Sequence, residues 1–206
     1  MSEEKTTETD AAEASVRTRL LQAGTEMFAE KGFKGASVRQ ICAQAGTSMN
    51  MIHHYFGSKD GLFDAIVQQF SAQVFEIPSQ LIARPPKSQE DFAVRFELFV
   101  EQTLNALLAH RLVYAIISQQ PETPPALAKC TDGFGGFLAA AAEQGYLNPR
   151  LDWEMVTGFV MDRLTTQAML ANGARSRGEP AQIDDPDYRA RWLAANTELF
   201  LNGLTS

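Results

Sequence analysis

Apolar residues recur at every third or fourth position along most of this chain, which is the spacing that an amphipathic helix requires. The first such stripe runs from Val16 to Phe28, and Gly32 follows it as a typical helix stop. No segment alternates strictly between apolar and polar residues as a half-buried strand does, and no short-period repeat or coiled-coil heptad is present. The pattern predicts an all-α fold.

Capping residues and glycines predict three short helices near the N-terminus. Ser37 begins the second of them and forms a capping box with a glutamine three residues later. Gly46 ends that helix after about eight residues, because glycine accepts the positive φ of a tight turn. Thr47 or Ser48 then caps a third helix that ends near Phe56. Two short helices joined by a tight turn at glycine are typical of a helix-turn-helix motif.

The rest of the chain is predicted to form longer helices. A helix over about residues 58–75 carries one apolar stripe, and later helices end near His110, Ala171 and Leu204. A polar loop is expected between Asn172 and Asp185. The predicted helix starts outside the motif are Ser15, Ser58, Ser88, Thr123-Pro124, Asp152 and Asp185-Pro186.

Charge is distributed unevenly along the chain. The net charge is −7, but residues 15–60 carry six basic side chains against three acidic ones. A local positive field can act on phosphate at contact range, because salt screens more distant charges beyond roughly 8–10 Å. Residues 1–14 hold five acidic residues and one lysine, so we expect a disordered acidic tail. The predicted units are this tail, a unit over residues 15–75 with its motif at about 38–57, and a unit over residues 76–206.

Composition narrows the class of protein further. No apolar run approaches the roughly 18–20 residues of a membrane span, so no membrane contact is expected. Cys42 and Cys130 lie far apart without paired spacing, which favours two buried thiols in a reducing cytoplasm. No cofactor is expected, since the chain has neither a zinc-protease HExxH motif nor a glycine-rich phosphate loop, and no catalytic residue stands out.

The adjacent His53 and His54 invite a metal-site hypothesis, which the helix geometry disfavours. Neighbouring residues on a helix point about 100° apart and do not share a face. With Ile41 and Ile52 facing a small core, Met49 and Met51 fall off the apolar stripe and are expected to be exposed. The outer faces of the third helix would then be free to enter a major groove.

Residues 15–70 resemble the tetracycline-repressor (TetR) family of bacterial transcription regulators. The residues that carry the resemblance are Phe28, Gly32-Phe33, Ser37-Val38, Ile41, Ala45-Gly46, Tyr55-Phe56, Ser58-Lys59 and Leu62-Phe63. The resemblance implies an N-terminal helix-turn-helix DNA-binding domain joined to a larger helical ligand-binding and dimerisation domain. It also implies a regulator, usually a repressor, that binds an inverted repeat of double-stranded DNA as a homodimer and answers to a small-molecule effector.

By the same resemblance, DNA contacts are expected from the two helices of the motif and from the start of the next helix. These residues are Ser37, Val38, Arg39, Thr47, Ser48, Met49, Asn50, Met51, His53, Tyr55 and Lys59. The family often has lysine where this chain has Met49 and Gly57. Two phosphate contacts would then be missing, and binding would depend less steeply on salt.

The C-terminal unit resembles the family only in length and helical layout. Candidates for lining an effector cavity are Phe92, Phe96, Phe99 and Leu104, with ordinary core packing as the equal alternative. Candidates for the dimer interface are Val156, Phe159, Val160, Leu164, Leu193, Asn196 and Phe200, which could equally pack within one subunit. Two other functions stay open: an all-α enzyme or small-molecule carrier with merely structural N-terminal helices, and a regulator without a small-molecule effector.

Overall fold

The computed structural model describes residues 2–120 and 125–205, with side chains from 15 to 120 and from 125 to 204. The described residues form α-helices, one short 3-10 helix at Gln182–Asp184 and no strand, so the all-α prediction is confirmed. The helices are α1 (Ser2–Gly35), α2 (Val38–Gln44), α3 (Asn50–Phe56), α4 (Lys59–Ile82), α5 (Gln89–Ala109), α6 (Arg111–Ile117), α7 (Pro125–Glu143), α8 (Trp153–Ser176) and α9 (Pro186–Thr205).

Most predicted helix starts coincide with a side-chain cap. The Ser58 hydroxyl accepts a hydrogen bond from the Gly61 amide at 3.0 Å, and the Ser88 hydroxyl accepts one from the Asp91 amide at 3.1 Å. The Asp152 carboxylate accepts from two amides at the start of α8. Each of these oxygens satisfies a backbone donor that has no partner inside its helix.

Three other predicted boundaries are not matched by a cap among the described residues: the start at Ser15, the end of the tail at residue 14 and the start at Thr123-Pro124. Ser15 lies inside α1, where its hydroxyl accepts from Arg19 Nη1 at 3.1 Å, so it does not cap the helix. Helix α1 begins at Ser2, within the predicted tail over residues 1–14, and the disorder of this tail in solution stays a prediction. The start at Thr123-Pro124 lies outside the described residues, and α7 is described from Pro125.

Helix α4 is longer than the sequence predicts. It continues through Pro78 to Ile82, so the division expected at residue 75 falls inside a continuous helix. A proline inside a helix removes one backbone hydrogen bond, at a cost of about 3 kcal/mol. Val74, Phe75 and Pro78 itself are buried, and burial of this continuing stripe offsets the lost bond.

Two apolar cores divide the structure. We call α1, α2, α3 and the first part of α4 the head, and the rest of the described helices from the later part of α4 onward the body. The head core is formed around Phe28, Ile41, Ile52 and Leu62. The body core is larger, and its centre is a set of phenylalanines from α5 and α7, with the Phe99 and Phe134 rings stacked at 4.4 Å. Within the body α4 packs on α5 and α7, and α5 packs on α8.

Helix α6, which the sequence did not predict as a separate element, lies between these two cores. Its Ile116 is buried in the head core and Val113 packs against both cores, whereas Tyr114 and Ile117 are buried in the body core. The Arg111 guanidinium at the start of α6 binds both carboxylate oxygens of Asp184, at 2.7 and 3.0 Å. A seven-residue helix therefore joins the head, the body and the segment before α9.

None of the described helices combines the length and the apolar content needed to cross a lipid bilayer.

We expect Ile116→Ala to destabilise the protein by about 2–5 kcal/mol, because a buried isoleucine on the head side of α6 leaves a cavity. The matched control is Ile77→Ala on α4, where the side chain is 58% exposed and the change should stay within about 0.5 kcal/mol. Urea unfolding at a fixed protein concentration measures both. Equal effects of the two substitutions would contradict the role assigned to α6.

Candidate nucleic-acid interface

The turn between α2 and α3 is built from local hydrogen bonds. Ser37 and Gln40 form the capping box that the sequence predicts at the start of α2. At its end Gly46 has φ 62°, the Gly46 amide donates to Ala43 O at 3.2 Å, and the Thr47 amide donates to Cys42 O at 2.9 Å. This pair of bonds is the Schellman motif, which reverses the chain directly after a helix. The two helices therefore hold a defined relative orientation.

Cys42 packs where these helices meet and is 2% exposed. Burial raises the pKa of the Cys42 thiol, and it raises the pKa of the Cys130 thiol in the body to about 11. A thiol with a raised pKa forms little of the reactive thiolate at neutral pH. The interpretation of Cys42 as a packing residue is confirmed by its burial.

Three basic side chains of the head hold its helices together. Arg19 Nε donates to Ala45 O at 3.0 Å, which ties α1 to the end of α2. The Arg17 guanidinium lies 5.4 Å from the centre of the Phe56 ring on α3. Lys59 Nζ donates to Phe33 O at 2.8 Å and to Ala36 O at 3.1 Å, where α1 ends.

Lys59 thus has a structural role that the sequence did not predict. Its ammonium group also lies 4.4 Å from the centre of the Phe33 ring. An ammonium group has three donors, and the two carbonyls use two of them. The phosphate contact expected of Lys59 stays a prediction, with one N–H left to make it.

The first residues of α3 present a mixed apolar and amide surface. Ile52 is fully buried, as predicted, while Asn50 is exposed and Met49 is 53% exposed. Met51 is half-buried and packs against the head core, so the expectation of an exposed Met51 is wrong. Neither Thr47 nor Ser48 caps α3, whose N-cap position is Met49 without a side-chain bond.

Both histidines of α3 are exposed. His53 Nδ1 lies 2.9 Å from Gly57 O, and because a carbonyl only accepts, this nitrogen carries the proton. In the neutral ring Nε2 is then an acceptor, which could accept a hydrogen bond from the amino group of a base. A phosphate oxygen only accepts, so a contact between Nε2 and a phosphate requires the imidazolium form. His54 is exposed too, and its ring lies 4.8 Å from that of Tyr55.

Tyr55 is half-buried, and its hydroxyl is inaccessible and without a hydrogen-bond partner among the described residues. A buried hydroxyl without a partner costs about 1–3 kcal/mol. The expected phosphate contact therefore requires this ring to turn outward when DNA binds.

The start of α2 lies beside the turn with its polar groups accessible. Ser37 and Arg39 are exposed, and Val38 is half-buried against the head core. Among the turn residues Thr47 is half-buried and Ser48 is exposed. All eleven predicted DNA-contact residues thus belong to the head, and whether each touches DNA stays a prediction.

The four residues expected to line an effector cavity lie in the body core instead. Phe92, Phe96, Phe99 and Leu104 are all 0% exposed and line none of the three larger clefts found in the described residues. Their rings pack against Phe134 and Phe137 of α7. In this conformation they pack as core residues, and contact with an effector stays a prediction.

The predicted interface residues divide into two groups. Val156, Val160 and Leu164 are buried within the subunit core, which corrects their assignment to the interface. Phe159 is 59% exposed, and Leu193, Asn196 and Phe200 are half-buried. The sequence analysis did not single out four further exposed apolar residues on the same two helices, Met155, Met169 and Leu170 of α8 and Leu199 of α9.

The structure thus has a small head on a larger helical body, and the head presents an exposed short helix directly after a tight turn. This arrangement is that of a helix-turn-helix protein of the regulator type. The family profile described as "Bacterial regulatory proteins, tetR family" matches residues 20–66, which extend from α1 into α4. The match covers the N-terminal part of the chain, and this DNA-binding-type domain belongs to the family.

Individual relatives extend the similarity into the body. The HTH-type transcriptional regulator UidR of Escherichia coli is 26% identical over 153 residues, 71% of this chain and 76% of that protein. The HTH-type transcriptional repressor KstR2 of Rhodococcus jostii is 26% identical over 156 residues, 71% and 74% of the two chains. Among solved structures, the regulator FadR from Bacillus subtilis in complex with stearoyl-CoA superposes with a TM-score of 0.66 at 16% identity. That superposition covers 90% of this chain and 98% of the other.

We expect Lys59→Met to destabilise the protein by about 1–3 kcal/mol, because the carbonyls of Phe33 and Ala36 lose their donor. Lys34→Met, which removes an exposed charge at the end of α1, is the matched control and should change the free energy of unfolding by less than about 0.5 kcal/mol. Urea unfolding monitored by circular dichroism distinguishes the two. If Lys59→Met is as stable as the control, the lysine does not hold the end of α1.

Proposed function

We propose that this protein is a ligand-responsive transcriptional repressor that binds an inverted-repeat operator as a homodimer. The observation that carries the proposal is the exposed N-terminal part of α3, with Met49 and Asn50 facing solvent on a helix held at a defined angle. Two such helices about 34–36 Å apart would enter successive major grooves on one side of the duplex.

The chemistry of this surface favours contacts to base edges. The Asn50 amide can pair with the N6 and N7 edge of adenine, and the Met49 side chain can contact thymine methyl groups. Backbone contacts would come from Arg39 and Ser37, which lie exposed at the start of α2. Because the exposed Arg17 and Arg19 each contact another helix of the head, fewer cations are free to bind phosphates. A shallow dependence of affinity on salt follows.

Repression and control by a small molecule are supported by the relatives. KstR2 is named as a repressor, and FadR was solved with an acyl-CoA bound. By thermodynamic linkage, an effector weakens DNA binding only as far as it discriminates between two conformers of the protein. The continuous α4, with Leu62 in the head core and Val74 in the body core, would carry such a difference to the head.

Homodimer formation is supported by the apolar surface of the last two long helices. Met155, Phe159 and Leu170 on α8 and Leu199 on α9 are each more than half exposed. Monomeric proteins rarely leave large apolar patches in water, and such patches commonly mark protein interfaces.

The competing function is an enzyme or small-molecule carrier whose head is only structural. It predicts turnover or ligand binding by a protein that is indifferent to DNA sequence. A regulator without a small-molecule effector would select an operator, and candidate ligands would not change its affinity for that operator. Sequence selection from random DNA separates the first alternative from the proposal.

We expect the purified protein to enrich an inverted repeat from random duplexes at about 150 mM salt, with half-sites about one turn apart. Arg39→Ala should lower operator affinity and reduce the slope of log affinity against log salt by about one, since one phosphate contact is lost. Arg84→Ala, an exposed arginine just beyond the end of α4, is the charge-matched control and should leave both quantities unchanged. No enrichment by folded dimeric protein would contradict the proposal.

We expect Phe159→Asp to convert the protein from a dimer to a monomer, because a carboxylate in an apolar interface loses its hydration. Size-exclusion chromatography with light scattering measures the mass in solution. Ile77→Asp is the control, since Ile77 is equally exposed but lies on α4. A Phe159→Asp protein that remains dimeric would contradict an interface on α8.

A further inference from the structure

A cleft of about 790 Å³ opens between the head and the body. Its walls are one face of α1, the middle of α4, and His110 with the first residues of α6. A volume of this size is typical of sites for small organic ligands, which range over about 300–1,000 Å³. The sequence offered no signal for this cleft, because its three walls are distant along the chain.

The floor of the cleft is apolar. Leu21 of α1 and Ile66 and Phe70 of α4 are buried there, and Val113 of α6 closes the end. Phe70 and Ile66 belong to different cores, so the floor spans the junction of head and body. An apolar ligand body would replace water over this surface, which is favourable in proportion to the area covered.

The rim of the cleft is polar and carries no net charge, since its one arginine and one glutamate balance. Gln68, Gln69 and Gln73 of α4 are exposed there, and their side chains make no hydrogen bond to any residue that the structure describes. The rim also contains one cationic and one anionic side chain, and each contacts other residues of the head. Arg17 lies over the Phe56 ring, and Glu26 accepts hydrogen bonds from Gln22 and Gln44.

His110 adds a further neutral group at the junction of α5 and α6. Burial lowers the pKa of this histidine, which keeps the ring uncharged at neutral pH. A neutral imidazole offers one donor and one acceptor. Its ring lies 6.2 Å from that of Phe70, beside the apolar floor.

Two other sizeable clefts in the described part of the chain lie within the body. One, between α5 and α9, is bordered by three carboxylates, Glu97, Glu101 and Glu198. The other, of about 520 Å³, lies between α4 and α7. Neither has a wall from α1, so a ligand in them would not contact the head directly.

We propose that the cleft between α1, α4 and α6 is an effector site for an uncharged small molecule with an apolar body and several hydrogen-bonding groups. This inference rests on the proposed function and names a site and a ligand class for its regulation. A ligand there contacts head and body together, so its affinity depends on the angle between them. By linkage it must then change operator affinity whenever DNA prefers a different angle.

The test uses the uncharged dye Nile red, whose fluorescence rises in apolar surroundings, with the full-length protein. We expect saturable binding of about one dye per chain. Gln69→Trp, which fills the cleft from an exposed position on α4, should weaken dye binding at least about tenfold. Gln80→Trp places the same side chain at an exposed position of the same helix, in the cleft between α4 and α7, and should change affinity less than about twofold.

A second blocked variant and a DNA readout complete the test. Gln22→Trp fills the same cleft from α1 and should reproduce the loss, which excludes an effect peculiar to α4. Thermal melting checks that each variant is folded. Saturating dye should change the operator affinity of the unmodified protein by about fivefold or more and that of Gln69→Trp not at all.

The outcomes separate the two proposals. If the protein selects no operator, the proposed function fails, while the dye titrations still decide whether the cleft binds. No saturable dye binding, equal binding by the unmodified and Gln69→Trp proteins, or loss of binding in Gln80→Trp would overturn the assignment of this cleft. Dye binding that leaves operator affinity unchanged would overturn its regulatory role.

Discussion

Burial of one short helix on two sides is the constraint on which the arrangement of this protein depends. Helix α6 has seven residues, too few to be stable alone in water. It exists because Ile116 enters the head core while Tyr114 and Ile117 enter the body core. The same contacts fix where the head sits on the body. Any movement of the head must therefore change the packing of α6 or carry α6 with it.

Helix α4 complements α6 by making the connection continuous. Its 24 residues span about 36 Å at 1.5 Å per residue, with Leu62 in one core and Val74 in the other. A packed helix is a rigid element, so a displacement at its body end is transmitted to the α3 helix that rests on its start. The cleft between head and body lies where α4 passes α1 and α6, the point at which a bound molecule can resist or favour such a displacement.

The head uses much of its positive charge internally. Arg19 joins α1 to α2, Arg17 joins α1 to α3, and Lys59 joins α4 to the end of α1. The exposed surface at the start of α3 is largely methionine, asparagine and histidine. Cation–π and charge-assisted contacts add to the packing of the head core in holding these helices together. Helix α3 itself carries no lysine, arginine or carboxylate side chain.

The sequence by itself determined the local structure and the kind of protein. Helical periodicity, the caps at Ser37, Ser58, Ser88 and Asp152 and the positive φ at Gly46 are set by near neighbours in the chain, so they could be read without a structure. Only the tertiary structure decided that Phe96 and Val160 face their own core, that Lys59 binds carbonyls of α1, and that α6 forms at all. An apolar stripe shows that a face is buried but not against which partner, because that choice depends on contacts between residues distant in sequence.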